Sequence, residues 1–481
     1  MTKNRLIKTA GILTFLGLAT GFLVGCASPE KEDQKPNIIF IMADDLGYGD
    51  LGCFGQEIIK TPNLDQMAAE GIMFTQHYAG NTVCAPSRCS LMTGLHMGHA
   101  EVRGNKQAKP EPSGQQPLSD RAVTVAKLLK DAGYKTAMIG KWGLGNAGGS
   151  GEPTEQGFDY YYGYLDQVLA HNYYPEYLMR NGKKEMLRNE VKYLSKEIWH
   201  KGLGSYSTGK VDYSHDLFTE DALRFIDENR ENPFFLYLPY TIPHDNGEAA
   251  IGQRMEVPDF DIYSDKDWDS DQKGYAAMIT RMDRDIGAIL QKLKDERIDE
   301  STLVIFTSDN GPEMNYPFAK NFDSNGVFRG GKRDLYEGGI REPFIARWPG
   351  KVSPGTVSDH ISAFWDFLPT ACEIAGVAVP ENVDGLSYLP TLTGTDRQPE
   401  HEYLYWEYYG KGGKKAVRKG QWKAVVNDLY KNPDCPIELY NLETDPGEAR
   451  NLANEYPEIV LELDSIMRVT SSPSSEYSFT K

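Results

Sequence analysis

The sequence predicts an α/β fold: a large mixed, mostly parallel sheet flanked by helices, followed by a smaller C-terminal unit with an antiparallel sheet and a helix. Three observations predict it. Short runs apolar on both faces recur along the first three quarters of the chain, as central strands of a parallel sheet require. Segments with apolar residues three to four apart lie between them. After about residue 380 the texture changes to short aromatic runs broken by Gly and Lys.

The elements follow in chain order. Residues 1–25 read as a secretory leader. Lys3, Arg5 and Lys8 open it, an uncharged apolar stretch fills 10–24, and it closes on Leu23-Val24-Gly25-Cys26. That ending resembles a bacterial lipobox, so Cys26 is expected to carry lipid, with residues 26–36 as a polar tether and the membrane engaged only through the anchor. Strands are expected at 37–42, 135–140, 234–238 and 302–308. Helices are expected at 63–72, 123–132, 216–229 and 274–293. Residues 37–380 form the expected catalytic domain. Residues 381–481 form the C-terminal unit, with strands at 402–409 and 422–426 and a helix at 457–467.

Each expected strand ends in chemistry. Asp44 and Asp45 follow the first, Lys141 the second, Pro243-His244 the third, and Asp309-Asn310 the fourth. Ligands in open α/β sheets bind beyond the carboxyl ends of the strands, so these groups are expected to converge. Asp44, Asp45, Asp309 and Asn310 offer only oxygen, which favours calcium, then magnesium, over zinc.

Composition narrows the partners. Of 481 residues, 69 are acidic and 51 basic, a formal charge of −18, and the leader holds three of the positive charges. Such a field excludes a nucleic-acid partner. An anionic substrate needs a local cluster of cations or a metal. Six cysteines show no metal-binding spacing; in an exported chain they leave room for one disulfide but not for a framework.

Residues 84–94 read Cys-Ala-Pro-Ser-Arg-Cys-Ser-Leu-Met-Thr-Gly. This segment resembles the signature of the formylglycine-dependent type I sulfatases, arylsulfatase-like members of the alkaline phosphatase superfamily. The resemblance extends over nearly the whole mature chain. It includes Asp44-Asp45-Leu46-Gly47-Tyr48-Gly49-Asp50, Gly140-Lys141-Trp142, Pro243-His244, Ser308-Asp309-Asn310-Gly311, Gly330-Gly331-Lys332, Tyr336 to Arg341, and Leu439-Tyr440-Asn441-Leu442 with Asp445-Pro446.

The resemblance implies hydrolysis of sulfate esters on carbohydrate. It implies that a formylglycine-generating enzyme converts Cys84 to formylglycine (3-oxoalanine), and that one calcium ion is held by Asp44, Asp45, modified Cys84, Asp309 and Asn310. A hydrated aldehyde can attack sulfur with one hydroxyl and later expel sulfate with the other, which neither serine nor unmodified cysteine can do. Arg88 is expected to orient the metal shell, Lys141 and Lys332 to hold sulfate oxygens, and His244, with Lys332, to protonate the leaving oxygen.

One position departs from the family pattern. Where many members carry Lys-Trp-His, this chain reads Lys141-Trp142-Gly143, and Gly143 cannot move a proton. His171 is the expected substitute. His171, Asn172, Glu101, Arg103 and Asn105 are the expected sugar contacts. An exo-acting enzyme on sulfated galactose or N-acetylgalactosamine is the expected activity, by analogy with bacterial arylsulfatase-A-like glycan sulfatases. The competing readings are a phosphate or phosphonate ester hydrolase on the same fold and an inactive glycan-binding lipoprotein.

Overall fold

The first strand explains the architecture. Every residue of β1 (Asn37–Ala43) is buried, so both of its faces must be covered. In the computed structural model, which describes residues 35–107, 115–195, 203–432 and 434–479, β1 lies near the centre of an eleven-stranded sheet. The expected leader and the expected lipid site at Cys26 fall outside the described residues. Among the described residues no helix is long and apolar enough to cross a membrane.

The sheet also contains β2 (Ile72–Tyr78), β3 (Lys135–Lys141), β4 (Tyr160–Tyr164), β5 (Tyr177–Arg180) and β6 (Lys183–Met186). A two-stranded ribbon of β7 (Glu190–Tyr193) and β8 (Ser205–Gly209) stands apart from it. The remaining members are β9 (Phe234–Pro239), β10 (Thr302–Ser308), β11 (Arg341–Arg347), β12 (Thr356–Ser358) and β13 (Ser362–Ala363). The order is β12-β2-β11-β10-β1-β9-β3-β4-β5-β6, with β13 on β2. The five central strands from β10 to β4 are parallel, and antiparallel neighbours flank them.

The four expected strands and four expected helices are all present. The helices are α1 (Pro62–Glu70), α3 (Val125–Asp131), α4 (Ser214–Asn229) and α5 (Ser270–Asp295); α2 (Cys84–Thr93) carries the cysteine motif. The helix α5 starts four residues earlier than periodicity suggests, because Asp269 and Gln272 form a reciprocal cap. The Asp269 carboxylate accepts the Gln272 N–H at 2.8 Å, and the Gln272 side chain accepts the Asp269 N–H at 3.1 Å.

Beyond residue 400 a separate four-stranded antiparallel sheet forms, in the order β14 (Leu404–Tyr408), β15 (Lys414–Lys419), β16 (Trp422–Val426) and β17 (Glu438–Asn441). The helix Pro457–Val469 packs on it through Leu463 and Met467. Contacts join Lys35–Lys481 into one compact unit. Cys53, Cys84, Cys89, Cys372 and Cys435 are all free thiols, so none of them forms the disulfide for which the sequence leaves room.

A buried charge network ties the small sheet to the large one. Lys423 on β16 is fully buried and pairs with Glu337 at 2.8 Å and Glu448 at 3.0 Å. Tyr78 on β2 donates to the same Glu337 at 2.6 Å. Burial opposes ionisation of Glu337, but Lys423 and Arg341 win and hold its carboxyl down to about 2. Removing one partner of such a network leaves charge uncompensated. We therefore expect Lys423→Met to destabilise the fold by about 3–5 kcal/mol. Chemical denaturation checks it, and an unchanged midpoint would refute the structural role.

Candidate active site

The parallel register delivers the site. Ala43 on β1 lies opposite Ser308 on β10, so Asp44-Asp45 and Asp309-Asn310 emerge side by side. The backbone N–H of Asp45 donates to Asp309 Oδ1 at 3.2 Å, and Asn310 Nδ2 donates to Asp45 Oδ1 at 2.7 Å. Asp45 sits in the left-handed region at φ 62°, a conformation more readily taken by Asp and Asn than by most residues.

The cysteine motif faces these carboxylates from above. Cys84 is the first residue of α2, whose ten residues are all buried. The amino end of a helix favours negative charge. Arg88 follows one turn later, on the same face. Its guanidinium donates to Asp309 Oδ2 at 2.7 and 3.2 Å and to the Lys141 carbonyl. Cys84 Sγ lies 3.5 Å from both Asp44 Oδ1 and Lys141 Nζ. Lys141, the last residue of β3, pairs with Asp44 at 2.5 Å.

The other wall comes from later in the chain. Lys332 Nζ bonds Asp45 at 2.6 Å and His244 Nε2 at 2.8 Å. His244 Nδ1 lies 2.7 Å from the Asp245 carbonyl, so Nδ1 carries the proton and Nε2 accepts. His171 stacks on His244 with centroids 4.4 Å apart and is held by Glu248 at 3.0 Å.

Electrostatics follow from burial. Burial and then the charge of Asp44 push the Cys84 thiol up to about 12. An unmodified thiol here stays protonated at neutral pH and is a poor nucleophile. Burial resists the charge on Lys332, yet Asp45 holds its ammonium firmly protonated. Burial, then repulsion from Asp44, raises Asp309 to about 6. Burial lowers His244 well below its ordinary value, and Lys332 adds to this, so the imidazole is neutral.

The residues fit a hard divalent cation. Three buried carboxylates crowd together, and the side-chain oxygen of Asn310 is buried with no hydrogen-bond partner. An oxygen with no donor in reach among acids that repel one another is what a cation would satisfy. Asp44, Asp45, Cys84 and His244 also place ligand atoms within 4.8 Å of one another.

A cavity of about 480 Å³ opens above Cys84. His171 and Asn105 line it, and Asn105 Oδ1 accepts the Ala85 N–H at 2.9 Å. The other three expected sugar contacts are corrected by their surroundings. Arg103 is 3 % exposed, and its guanidinium is taken up by the Ala100 carbonyl, Ser471 and Ser472. Asn172 is fully buried and joins Ser205, Ser207 and the Tyr174 N–H. Glu101 accepts from the backbone and hydroxyl of Ser119 at the surface. None of these three lines the cavity.

Other residues line it. Gln167, Tyr408, Tyr409 and Tyr477 line the cavity, as does Arg333, which pairs with Glu313. The aromatic run 402–409 signals the first two tyrosines; Tyr477 arrives from the C-terminal tail with no local signal.

Comparison with known proteins agrees with this geometry. The sulfatase family model matches residues 36–377, and the model for the C-terminal part of N-sulphoglucosamine sulphohydrolase matches residues 325–471. The chain is 33% identical to arylsulfatase A of Homo sapiens, covering 96% of this chain and 93% of that one. It is 30% identical to an N-acetylgalactosamine-6-O-sulfatase of Bacteroides thetaiotaomicron, covering 92% and 96%. The crystal structure of Ps i-CgsB in complex with k-i-k-neocarrahexaose superposes with a TM-score of 0.76 at 28% identity, covering 92% of this chain and 94% of that one. A match of this extent, over a chain whose strand ends gather the cysteine and its charged partners, has one meaning: the protein belongs to the sulfatase family and is a sulfuric ester hydrolase.

Proposed function

We propose that the protein removes sulfate from carbohydrate as an exo-acting glycan O-sulfatase, with formylglycine at Cys84 and one calcium ion at Asp44, Asp45, Asp309 and Asn310. The observation that carries this is the setting of Cys84. Burial keeps its thiol protonated, yet it lies beside the Asp44–Lys141 pair, 3.5 Å from each, and lines the cavity. Oxidised to formylglycine by a maturation enzyme, the same position presents a hydrated aldehyde to sulfur. Bound calcium would supply Lewis-acid polarisation of sulfate and hydroxyl oxygens.

The chain's own groups do the rest. Lys141 and Lys332 bring positive charge to sulfate oxygens in a buried setting, where such contacts are strong. Arg88 fixes Asp309. His244 is neutral with Nε2 against the Lys332 ammonium, so the pair can pass a proton to the departing sugar oxygen. Relatives named N-acetylgalactosamine-6-O-sulfatase and N-acetylgalactosamine-6-sulfatase support sulfated N-acetylgalactosamine as the sugar, with sulfated galactose the alternative. Residues 37–380 carry the chemistry, and 381–481 form a subdomain contributing Tyr408, Tyr409 and Tyr477 to the cavity wall. The leader argues for export and anchoring through lipid on Cys26.

A peptide mass at Cys84, followed by a panel of defined sulfated mono- and disaccharides, tests this reading. A protein with formylglycine at Cys84 that desulfates none of them refutes the glycan assignment.

His171 is the proposed base for expelling sulfate. Glu248 holds Nδ1, which leaves Nε2 as the acceptor. We expect His171→Ala to lower steady-state turnover about 100-fold while preserving a burst of one equivalent of desulfated sugar. Loss of the burst would place His171 before the attack instead.

A further inference from the structure

The cavity contains a donor that the protein does not use. Gln167 is 4 % exposed and lines the cavity with Cys84, His171 and Lys332. Its side-chain nitrogen Nε2 is buried and has no hydrogen-bond partner. The lysines that would meet sulfate each also hold a protein carboxylate, Lys141 that of Asp44 and Lys332 that of Asp45, whereas Gln167 Nε2 holds no acceptor. A buried amide N–H with no acceptor is costly, and such groups in a binding site are satisfied by the ligand.

The backbone holds this side chain in place. Lys141 on β3 is in register with Tyr164 on β4, and the Trp142 N–H donates to the Tyr164 carbonyl at 2.9 Å. The two strands therefore leave the sheet together, which brings Gly143 beside Gln167. Asp166 accepts the N–H groups of Val168 and Leu169 at 2.7 and 3.0 Å and pins the turn. Gly143 has φ 77°, and a Cβ there would lie 2.4 Å from Gln167 Nε2 and 3.0 Å from its Cγ. A side chain at 143 and the carboxamide of Gln167 compete for the same space. Gln167 and Cys84 line the same cavity, so the carboxamide that occupies this space borders the reacting position.

We propose that Gln167 binds the substrate sulfate directly, its Nε2–H donating to a non-bridging sulfate oxygen over Cys84, and that residue 143 is glycine to admit that carboxamide. The proposal rests on the reading of the Cys84 cavity as the sulfate site.

The test uses the matured enzyme, sulfated N-acetylgalactosamine as substrate, and inorganic sulfate as a competitive inhibitor. Gln167→Met keeps the shape and removes the donor. It is expected to raise the sulfate inhibition constant and lower kcat/KM, each by about 10- to 100-fold, the worth of one hydrogen bond to a charged group. Its thermal midpoint should match or exceed the wild type, because an unsatisfied buried donor is gone. Gln167→Glu should weaken sulfate further by like-charge repulsion. Gly143→Ala, which displaces the carboxamide, should weaken sulfate in the same direction. If Gln167→Met stays within about twofold of wild type for both constants, the Gln167 assignment is overturned while the cavity reading stands. If the wild type itself neither turns over the sugar nor is inhibited by sulfate, the cavity reading falls, and the assignment with it.

Discussion

Cys84→Ala is expected to abolish sulfate release and leave the fold intact. The thiol makes two polar contacts, with Asp44 and Lys141, and those two groups already pair with each other at 2.5 Å. Removing sulfur therefore strands no charge. The loss is one of chemistry: without an oxygen nucleophile at that position, only electrostatics and binding remain, and turnover should fall by at least about 10⁴-fold. Cys84→Ser sharpens the claim. A serine hydroxyl can attack sulfur but has no second hydroxyl with which to expel sulfate. The variant should stall after one equivalent, with the mass of one sulfate retained on the protein. Continued turnover by the alanine variant would refute the assigned nucleophile. Turnover by the serine variant would refute the need for an aldehyde.

The parts of the fold legible in the sequence are those whose signal is local. The strands β1, β3, β9 and β10 are apolar on both faces, and residues next to one another in sequence carry both the strand and its terminal chemistry. The strands β2 and β11 escaped because Gln76, His77, Glu342 and Pro343 break their pattern, although His77 and Glu342 are buried. Tertiary packing, not alternation, makes them strands. The same distinction holds in the site. Asp44-Asp45 and Asp309-Asn310 each directly follow an apolar strand, so their convergence at the strand ends could be read. Gln167 depends on two strands leaving the sheet in register. Tyr477 depends on a tail returning to Gly104, where its hydroxyl lies 3.4 Å from the carbonyl. Arg103 and Asn172 misled for a physical reason: polar residues beside a motif look free, but both are consumed in holding loops together.

Asp45→Asn is the sharpest test of the cation. Asparagine tolerates the left-handed backbone at this position, and its carbonyl can still accept from Asn310. What disappears is one negative charge from the cluster, and with it the counter-charge 2.6 Å from Lys332. Two effects should follow. Lys332 is left as a buried ammonium without its carboxylate, so the metal-free variant should be less stable by about 3–5 kcal/mol. If Asp45 is a ligand as proposed, calcium should also bind more weakly, because a carboxylate has become a neutral amide. In the wild type, calcium at about 100 times its dissociation constant should add about 2.7 kcal/mol of stability, read as a rise in thermal midpoint. In the variant the same concentration should add far less, and turnover should fall about 100- to 1000-fold. The thermal shift separates the causes, since it needs neither formylglycine nor substrate. A variant that keeps the full calcium-induced shift would show that Asp45 serves only to neutralise Lys332, and the ion would then have to be held by Asp44, Asp309 and Asn310 without it.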